Sequence, residues 1–351
     1  MRDSRLLHSK KIYAPENMYY ITKLISENKD QFVGPILTLD LTNQCNFHCP
    51  HCIDYRVVKN ANNYRNLDFH YICRLISELR NYGCRNIELT GGGEPTLYPH
   101  FGEFCKYAHS LGYHLSLVTN GSRLHEWRKI FEVVPFDWVR VSLDACNSES
   151  YAIMHGVHES MFQHVIMGIK EISQTCAVGI SFVLHEDNVS AIQGIDKLVK
   201  ECNATYLELK PLRNSQTGEF VSPSEKFAEF VRTLDNDLQG HSFSLIYPNE
   251  MTTQQYSEIC YSCYLRSVIT PNGMYRCSYY RDRRRCTPLP KDVGEFLQYR
   301  NMLNSNKACR NTTCTRHQLN KELNELEVRK TELTSLFKEH SGEKIYDAEW
   351  L

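Results

Sequence analysis

Three cysteines lie close together in the segment "LTNQCNFHCPHC", residues 41–52. Cys45 and Cys49 are separated by three residues, and Cys49 and Cys52 by two. Thiolates select soft metals, chiefly zinc and iron–sulfur clusters. A structural zinc site has four protein ligands, whereas three thiols leave one coordination position open. The segment therefore indicates either an open iron–sulfur site or a zinc site completed by one of its two histidines.

A second group of cysteines lies near the C-terminus. It comprises Cys260, Cys263, Cys277, Cys286, Cys309 and Cys314. The other cysteines are isolated along the chain, and isolated cysteines are mostly small buried apolar residues. The N-terminus lacks the apolar core of a secretory signal, so we expect a cytoplasmic protein without a disulfide framework. Clustered cysteines in a reducing compartment indicate metal binding.

A glycine-rich stretch, "ELTGGGEPTLYPH", occupies residues 88–100. Glycine lets the backbone approach a ligand closely. No Lys-Ser or Lys-Thr pair follows the glycines, which distinguishes the stretch from a phosphate-binding loop. Exposed backbone carbonyls beside the Glu94 carboxylate suit a cationic amine better than a phosphate.

The composition is that of an ordinary globular protein. Of the 351 residues, 42% are hydrophobic and 23% are charged, and the formal net charge is -1. This balance gives no global attraction to nucleic acid or to a membrane surface. No apolar run approaches the roughly 20 residues that a membrane-spanning helix needs. We therefore expect neither a nucleic-acid partner nor a membrane partner.

Short apolar runs alternate with helical periodicity from residue 36 to residue 212. One segment has Ile72, Leu75, Ile76 and Leu79 at helical spacing and stops at Gly83. The predicted strands are "ILTLDLT", "RNIELT", "YHLSLVTN", "DWVRVSLD", "AVGISFVL" and "ATYLELKPL". Six strands with intervening helices predict parallel βα repeats with ligand sites at the C-terminal ends of the strands. The predicted fold is α/β, a partial (β/α)6 TIM-like barrel with a small cysteine-rich C-terminal domain.

The change of pattern along the chain predicts five parts. They are an N-terminal extension (1–35), the barrel (36–212), a linker helix region (213–257), the cysteine-rich domain (258–316), and a C-terminal helix and tail (317–351). The tail places Leu319, Leu323, Leu326, Leu333 and Phe337 on one helical face. This stripe is too short for a sustained heptad run, so it predicts a helix packed on the body rather than a coiled coil.

The combined motifs resemble the radical S-adenosylmethionine (radical SAM) superfamily. The cysteines Cys45, Cys49 and Cys52 follow the first predicted strand, and Gly91–Pro95 follow the second. A third motif, "SLDA" at residues 142–145, ends the fourth strand. The resemblance covers the predicted barrel. The motifs are highly specific in combination because each stands in order at the end of the expected strand.

The resemblance implies a role for the missing fourth ligand. In this superfamily three cysteines hold a 4Fe-4S cluster, and the fourth iron binds the amino and carboxylate groups of S-adenosylmethionine. An electron from the cluster cleaves the sulfonium to methionine and a 5′-deoxyadenosyl radical, which abstracts a hydrogen from the substrate. Cys45, Cys49 and Cys52 are the implied ligands. His51 stands where the family usually has an aromatic residue.

The resemblance also implies cofactor contacts at the mouth of the barrel. The backbone of the glycine loop corresponds to the part of the family that binds the amino group, and Ser142 matches a position that commonly contacts the cofactor. The candidate cofactor residues are Gly91, Gly92, Gly93, Glu94, Thr119, Asn120, Ser142 and Asp144. The alternative for each polar side chain is that it caps the following helix.

Segment 258–316 resembles the auxiliary-cluster extensions called SPASM and, in the shorter form, twitch. Nine residues separate Cys263 from Gly273, and Cys277 follows that glycine after three more. The implied ligands of one auxiliary 4Fe-4S cluster are Cys277, Cys309 and Cys314, with Cys263 or Cys260 as the fourth. A structural zinc site is the alternative. The adjoining stretch "RDRRRC", residues 281–286, is either a solvated loop or a contact for a phosphate or an acidic peptide.

Three candidate functions follow, the first two being enzymes of the same superfamily and the third belonging to a different class. The first is a radical SAM enzyme that oxidises or rearranges a sugar, aminocyclitol or nucleoside, with Lys210 or Arg213 assisting proton loss as catalytic residues. The second is a maturase that modifies a precursor peptide, although about 35 residues before the first strand are too few for the usual recognition domain. The third is an electron carrier or a zinc-structured binding protein, which leaves the glycine loop unexplained. An enzyme of the first two kinds needs an electron donor such as flavodoxin or ferredoxin.

Overall fold

The structure is a computed structural model. It describes residues 15–26, 29–54, 64–184, 192, 194–214, 233, 244–246, 260–278, 281, 286–304, 320–321 and 323–325. Cys309, Cys314 and most of the predicted linker and C-terminal helix lie outside these residues.

One nine-stranded sheet forms the centre of the described chain. Its strands are β1 Ile36–Asp40, β2 Asn86–Thr90, β3 His114–Thr119, β4 Phe136–Ser142, β5 Ala177–Leu184, β6 Tyr206–Pro211, β7 Ser244–Ile246, β8 Arg266–Thr270 and β9 Gly273–Tyr275. Their spatial order is β7-β6-β5-β4-β3-β2-β1-β8-β9. Every neighbouring pair is parallel except β8 and β9. The predicted α/β class is confirmed, and the eight parallel strands of the described residues, rather than the six predicted, are consistent with a partial barrel.

Helices connect the strands in the manner of βα repeats. They are α1 Pro15–Ser26, α2 Phe69–Asn81, α3 Phe101–Ser110, α4 Leu124–Val133, α5 Ser148–His155, α6 Ser160–Ile172, α7 Ile195–Glu201, α8 Ser262–Leu265 and α9 Val293–Asn304. Asp68 caps α2 by accepting the Tyr71 N–H at 2.7 Å. Gly83, with a φ of +106°, follows the end of α2 as predicted. The sequence did not predict α1, α5, α8 or α9.

The strands present an apolar face to the helices and a polar face to the interior. Successive strand residues point to opposite faces, and residues such as Leu37, Leu39 and Ile87 belong to the main apolar core. The residues between them are polar, and Thr38 of β1 pairs with Glu88 of β2 in the sheet register. Polar side chains therefore line the concave side of the sheet.

β8 extends the sheet beyond β1. Arg266–Ile269 pair in parallel with Ile36–Leu39, so β1 is a central strand, and all five of its residues are buried. The predicted boundary at residue 258 thus does not coincide with a break in the sheet. Near the C-terminus, Leu323 is buried in a small apolar cluster with Ile21 and Tyr261.

Among the described residues, no helix has both the length and the apolar character needed to cross a membrane.

Candidate active site

The cysteine loop and the glycine loop meet at the C-terminal ends of β1 and β2. The Glu94 N–H donates a hydrogen bond of 2.7 Å to the carbonyl oxygen of Gln44. A Cβ atom on Gly93 would lie only 2.3 Å from the same oxygen. A glycine is therefore required where the two loops touch. The two motifs that the sequence identified are neighbours in space.

The three thiols of the cysteine loop are partly buried. Burial raises the pKa of Cys45 to about 11 and that of Cys52 to about 12. Burial also raises the pKa of Cys49, and the neighbouring Cys52 adds to the rise. The three free thiols would repel one another as thiolates. A bound cationic group would offset that repulsion, because metal ligands bind in the deprotonated form. Their sulfur donors suit the iron–sulfur cluster that the motif implies.

The cysteine loop supplies three thiol donors, and the two kinds of metal site need different arrangements of them. Within the part of the chain that the structure describes, no group of three or more His, Cys, Asp or Glu residues is arranged to hold a metal ion. A single zinc ion needs all its ligands within about 2.0–2.3 Å of one point. The thiolates of a 4Fe-4S cluster bind different irons, so they do not converge on one point.

His155 contacts the cysteine loop and was not identified from the sequence. Its Nε2 lies 2.9 Å from the Leu143 carbonyl oxygen, which can only accept, so Nε2 carries the proton. Nδ1 then accepts from the Cys49 thiol, with 3.2 Å between Nδ1 and Sγ. Burial lowers the pKa of His155, which favours this neutral form. No local sequence pattern predicts the contact between His155 and Cys49, because the two residues are 106 positions apart. The helix α5, which carries His155, was also not predicted.

Asp144 is buried behind the cysteine loop. Its φ of 55° lies in the left-handed region, which costs a non-glycine residue about 1–3 kcal/mol. Its carboxylate accepts the Val183 N–H at 2.7 Å and lies 3.2 Å from Nε2 of His51. Burial alone would raise the pKa of Asp144, but His51, together with His155 and the Val183 N–H, outweighs it, so the pKa is lowered. Asp144 therefore orients His51.

Glu94 joins the glycine loop to the end of β3. Its carboxylate accepts the Thr96 N–H at 3.1 Å and the Thr96 hydroxyl at 2.6 Å. It also accepts the Thr119 hydroxyl at 2.6 Å and the Asn120 N–H at 2.7 Å. The Asn120 amide in turn donates to Asn46 Oδ1 at 2.9 Å. Burial raises the pKa of Glu94. The carboxylate is occupied by these donors, and it connects the glycine loop to the end of β3.

The capping alternative for Thr119 and Asn120 also applies. The Thr119 hydroxyl accepts the Gly121 N–H at 3.0 Å, and Asn120 Oδ1 accepts the Ser122 N–H at 2.9 Å. Both side chains therefore shape the turn that leads to α4 and also connect that turn to Glu94.

Glu94→Gln is expected to lower the thermal unfolding midpoint and to weaken binding of S-adenosylmethionine. The new amide group would face the N–H of Asn120, and an unpaired buried donor costs about 1–3 kcal/mol. Scanning fluorimetry and calorimetric titration of the reconstituted protein measure the two effects. Glu126→Gln is the control, because the Glu126 side chain is 52% exposed. An unchanged midpoint and affinity in Glu94→Gln would contradict the structural role.

Five charged side chains form an interior charge cluster on the polar face of the sheet. Lys210 Nζ lies 2.9 Å and Arg140 Nη1 lies 3.0 Å from the same oxygen of Glu208. Arg266 forms an ion pair with Glu88. Burial and the neighbouring Arg140 lower the pKa of Lys210, whose side chain is still 33% exposed. The interior charge cluster therefore comprises three cations and two carboxylates.

Ser142 lies in register with this cluster. It pairs with Ser181 of β5, which in turn pairs with Glu208 of β6. Arg213 follows the end of β6 and is partly buried. The structure thus places Ser142 and Lys210 on one face of the sheet, and Arg213 at the same end.

Three of the late cysteines lie together. Sγ of Cys263 donates to Sγ of Cys260 at 3.3 Å, which lowers the pKa of Cys260 and raises that of Cys263. Cys277 belongs to the same buried cluster, and the Asn320 amide lies 3.4 Å from Cys260 Sγ. The described part of the structure therefore groups Cys260, Cys263 and Cys277. The sequence predicted Cys277 together with Cys309 and Cys314, and those two cysteines lie outside the described residues.

Cys286 contacts a different group from the trio. Its Sγ lies 3.5 Å from the carbonyl oxygen of Asn272.

Arg281 is the described member of the basic run "RDRRR", and it is buried rather than solvated. The sequence alone did not identify Arg281 as part of the site, and the only signal for it was this run of charges.

Comparisons with known proteins agree with the geometry. Residues 39–199 match the Radical SAM superfamily. An S-adenosylmethionine-dependent nucleotide dehydratase from a Thermoplasmatales archaeon is 36% identical over 108 residues, which are 30% of this chain and 37% of that protein. A probable GTP 3′,8-cyclase from Saccharolobus islandicus is 32% identical over 197 residues, which are 55% of this chain and 62% of that protein. The chain spans less than two thirds of either relative.

A solved structure shows the same fold. Streptococcus suis SuiB bound to the precursor peptide SuiA has a TM-score of 0.65 at 13% sequence identity. The likeness covers 86% of this chain and 75% of SuiB. At this identity the likeness shows the fold alone. The cysteine loop and the adjoining glycine loop both lie within residues 39–199, the region that matches the Radical SAM superfamily.

Proposed function

We propose that this protein cleaves S-adenosylmethionine reductively and abstracts a hydrogen from a nucleoside or nucleotide. The observation that carries the proposal is the contact between the cysteine loop and the glycine loop at the C-terminal ends of β1 and β2. The interior charge cluster lines the polar face of the same sheet. The bound cluster and cofactor supply one-electron cleavage of the sulfonium and a radical that abstracts hydrogen. The chain itself positions the groups and excludes water.

The cysteine loop is proposed to hold the 4Fe-4S cluster through Cys45, Cys49 and Cys52. The backbone of Gly91–Glu94 binds the amino group of the cofactor, and Glu94 keeps that backbone in position through its hydrogen bonds to the end of β3. Ser142, Thr119, Asn120 and Asp144 complete the proposed cofactor pocket. Ordering of these groups before the cofactor binds reduces the entropy lost on binding.

The interior charge cluster supports an anionic substrate. It has three cations and two carboxylates, and Glu208 is shared between Arg140 and Lys210. Phosphate oxygens accept hydrogen bonds from Arg and Lys donors readily. The names of the two relatives specify a nucleotide and GTP. Lys210 or Arg213 then assists loss of a proton from the substrate. A sugar or an aminocyclitol has no comparable support here.

A peptide substrate is the second candidate, and its support is weaker. SuiB is bound to a precursor peptide in its structure, but its 13% identity to this chain extends only to the fold. Stimulation by a peptide is therefore one possible outcome of the substrate test.

The late cysteine trio is proposed to hold an auxiliary 4Fe-4S cluster. Cys260, Cys263 and Cys277 are close together and partly or fully buried, and soft thiolates suit iron–sulfur binding. An auxiliary cluster near the substrate can accept the electron that remains after hydrogen abstraction. We further propose a twitch-like extension, a flavodoxin or ferredoxin as the electron donor, and a cytoplasmic location.

A nucleoside triphosphate is expected to stimulate formation of 5′-deoxyadenosine by the anaerobically reconstituted protein. Lys210→Met should raise the KM for that nucleotide by roughly 10- to 100-fold, because a hydrogen bond to a charged group contributes about 1.5–3 kcal/mol. Chromatography with mass spectrometry measures both. Lys129→Met, at an exposed helical position, is the control. Stimulation by peptides or sugars but by no nucleotide would overturn the substrate class.

A further inference from the structure

Arg281 connects the late cysteine segment to the barrel mouth. Its Nε lies 2.6 Å from Asp40 Oδ2, and its Nη2 donates to Asp40 Oδ1 at 3.0 Å. Its Nη1 donates to Asp54 Oδ2 at 3.2 Å. Arg281 and Asp54 are each 6% exposed, and Asp40 is 1% exposed. One guanidinium thus joins two buried carboxylates that lie on either side of the cysteine loop.

Stability alone does not account for this arrangement. Removing ions from water is costly, and well-packed apolar residues in place of a buried ion pair are often as stabilising. Asp40 ends β1, whose other residues include Ile36, Leu37 and Leu39 in the sequence "ILTLD". A carboxylate at this position needs a counter-charge, and Arg281 provides it. A charged group retained at such a cost indicates a role in positioning.

Asp40 carries the contact onward to the glycine loop. Its Oδ2 also accepts the backbone N–H of Gly92 at 3.0 Å. The same carboxylate therefore holds Arg281 on one side and the cofactor loop on the other. Asp54 lies two residues after Cys52, so the second carboxylate fixes the end of the cysteine loop. Movement of Arg281 would shift both loops.

The guanidinium belongs to the segment that carries the late cysteines. The Arg281 N–H donates to the Ser278 carbonyl oxygen at 3.4 Å, and Ser278 directly follows Cys277. A short stretch of chain thus separates the late cysteine trio from the residue that contacts both loops of the barrel mouth.

We infer that Arg281 is a positioning residue that couples the late cysteine segment to cofactor binding. It holds the Gly92 backbone through Asp40 and the end of the cysteine loop through Asp54. The inference rests on the proposed cofactor site, and it adds that the order of the glycine loop depends on a residue 241 positions after Asp40 in the sequence.

Arg281→Met and Arg281→Lys test the inference in the reconstituted full chain. Outer partners of a metal site typically change affinity or activity by about 10- to 100-fold when removed. We expect Arg281→Met to raise the Kd for S-adenosylmethionine by about tenfold or more, measured by calorimetric titration, with an unchanged iron content. Arg281→Lys keeps the positive charge but loses the paired N–H donors of the guanidinium. Its Kd should therefore lie between that of the wild type and that of Arg281→Met. The electron paramagnetic resonance change on adding cofactor should weaken in the same order.

Arg300→Met is the matched control. Arg300 is 2% exposed, but its Nη2 donates to the carbonyl oxygens of Lys29 and Asp30, before β1 begins. Its loss should lower the thermal midpoint and leave the Kd unchanged. If Arg281→Met does not fold, Arg281→Lys and Asp54→Asn replace it, and a wild-type Kd in both would overturn the inference. A wild-type protein that binds iron but no cofactor would instead overturn the proposed site.

Discussion

Replacing Cys45, Cys49 and Cys52 together by alanine is expected to abolish cleavage of S-adenosylmethionine. The variant should also lose about half of its iron, about four of eight atoms, if each site holds one 4Fe-4S cluster. The physical reason is that these three thiols are the proposed ligands of the cluster that supplies the electron for cleavage, and their loop contacts the glycine loop. Iron analysis after anaerobic reconstitution and chromatographic detection of 5′-deoxyadenosine measure both effects.

Cys105→Ala is the control for the cysteine loop. Cys105 is fully buried in α3 and belongs to the main apolar core. Its loss should cost some stability and leave iron content and cleavage intact. Cleavage by the triple variant at the wild-type rate would contradict the assignment of the cysteine loop.

Replacing Cys260, Cys263 and Cys277 by alanine is expected to separate cofactor cleavage from substrate turnover. Uncoupled cleavage should survive, because the cysteine loop keeps its own donors. Substrate turnover should collapse, because the proposed electron acceptor is lost. Parallel assays of 5′-deoxyadenosine and of product measure the two rates. Loss of a metal from an irregular segment can also destabilise a chain, so circular dichroism must first show that the variant is folded.

Cys286→Ala is the matched control in the same segment. Its thiol contacts the Asn272 carbonyl oxygen instead of the trio, so both activities should persist. Elemental analysis of the wild type distinguishes iron from zinc at the late cysteines. Zinc at this site, without a second cluster signal in electron paramagnetic resonance, would make the segment a scaffold and remove the main support for net oxidation.

Sequence alone places the cysteine loop and the glycine loop at one end of the barrel. The strand and helix periods of β1, β2 and α2 are local patterns, which the chain expresses within a few residues. The C-terminal ends of successive parallel strands lie along one edge, so motifs that follow β1 and β2 become neighbours. The hydrogen bond from the Glu94 N–H to the Gln44 carbonyl agrees with that prediction.

The sequence identified Glu94 in the glycine motif and Thr119 and Asn120 at the end of the third strand, but their contacts needed the fold. A carboxylate beside three glycines suggested a direct contact with a cationic amine. In the structure the carboxylate accepts hydrogen bonds from Thr119 and Asn120 instead, because the end of β3 lies against the glycine loop. The residue type was visible in the sequence, whereas the direction of the side chain depended on packing.

Only the tertiary structure revealed the contacts between distant segments. Asp40 and Arg281 are 241 residues apart, and Cys49 and His155 are 106 residues apart. Local periodicity does not encode such pairs. They form because β8 adds to the sheet beside β1 and because α5 returns to the cysteine loop, where burial removes competing water. A buried carboxylate must then find its counter-charge within the protein, and Arg281, from the short basic run at residues 281–286, provides it.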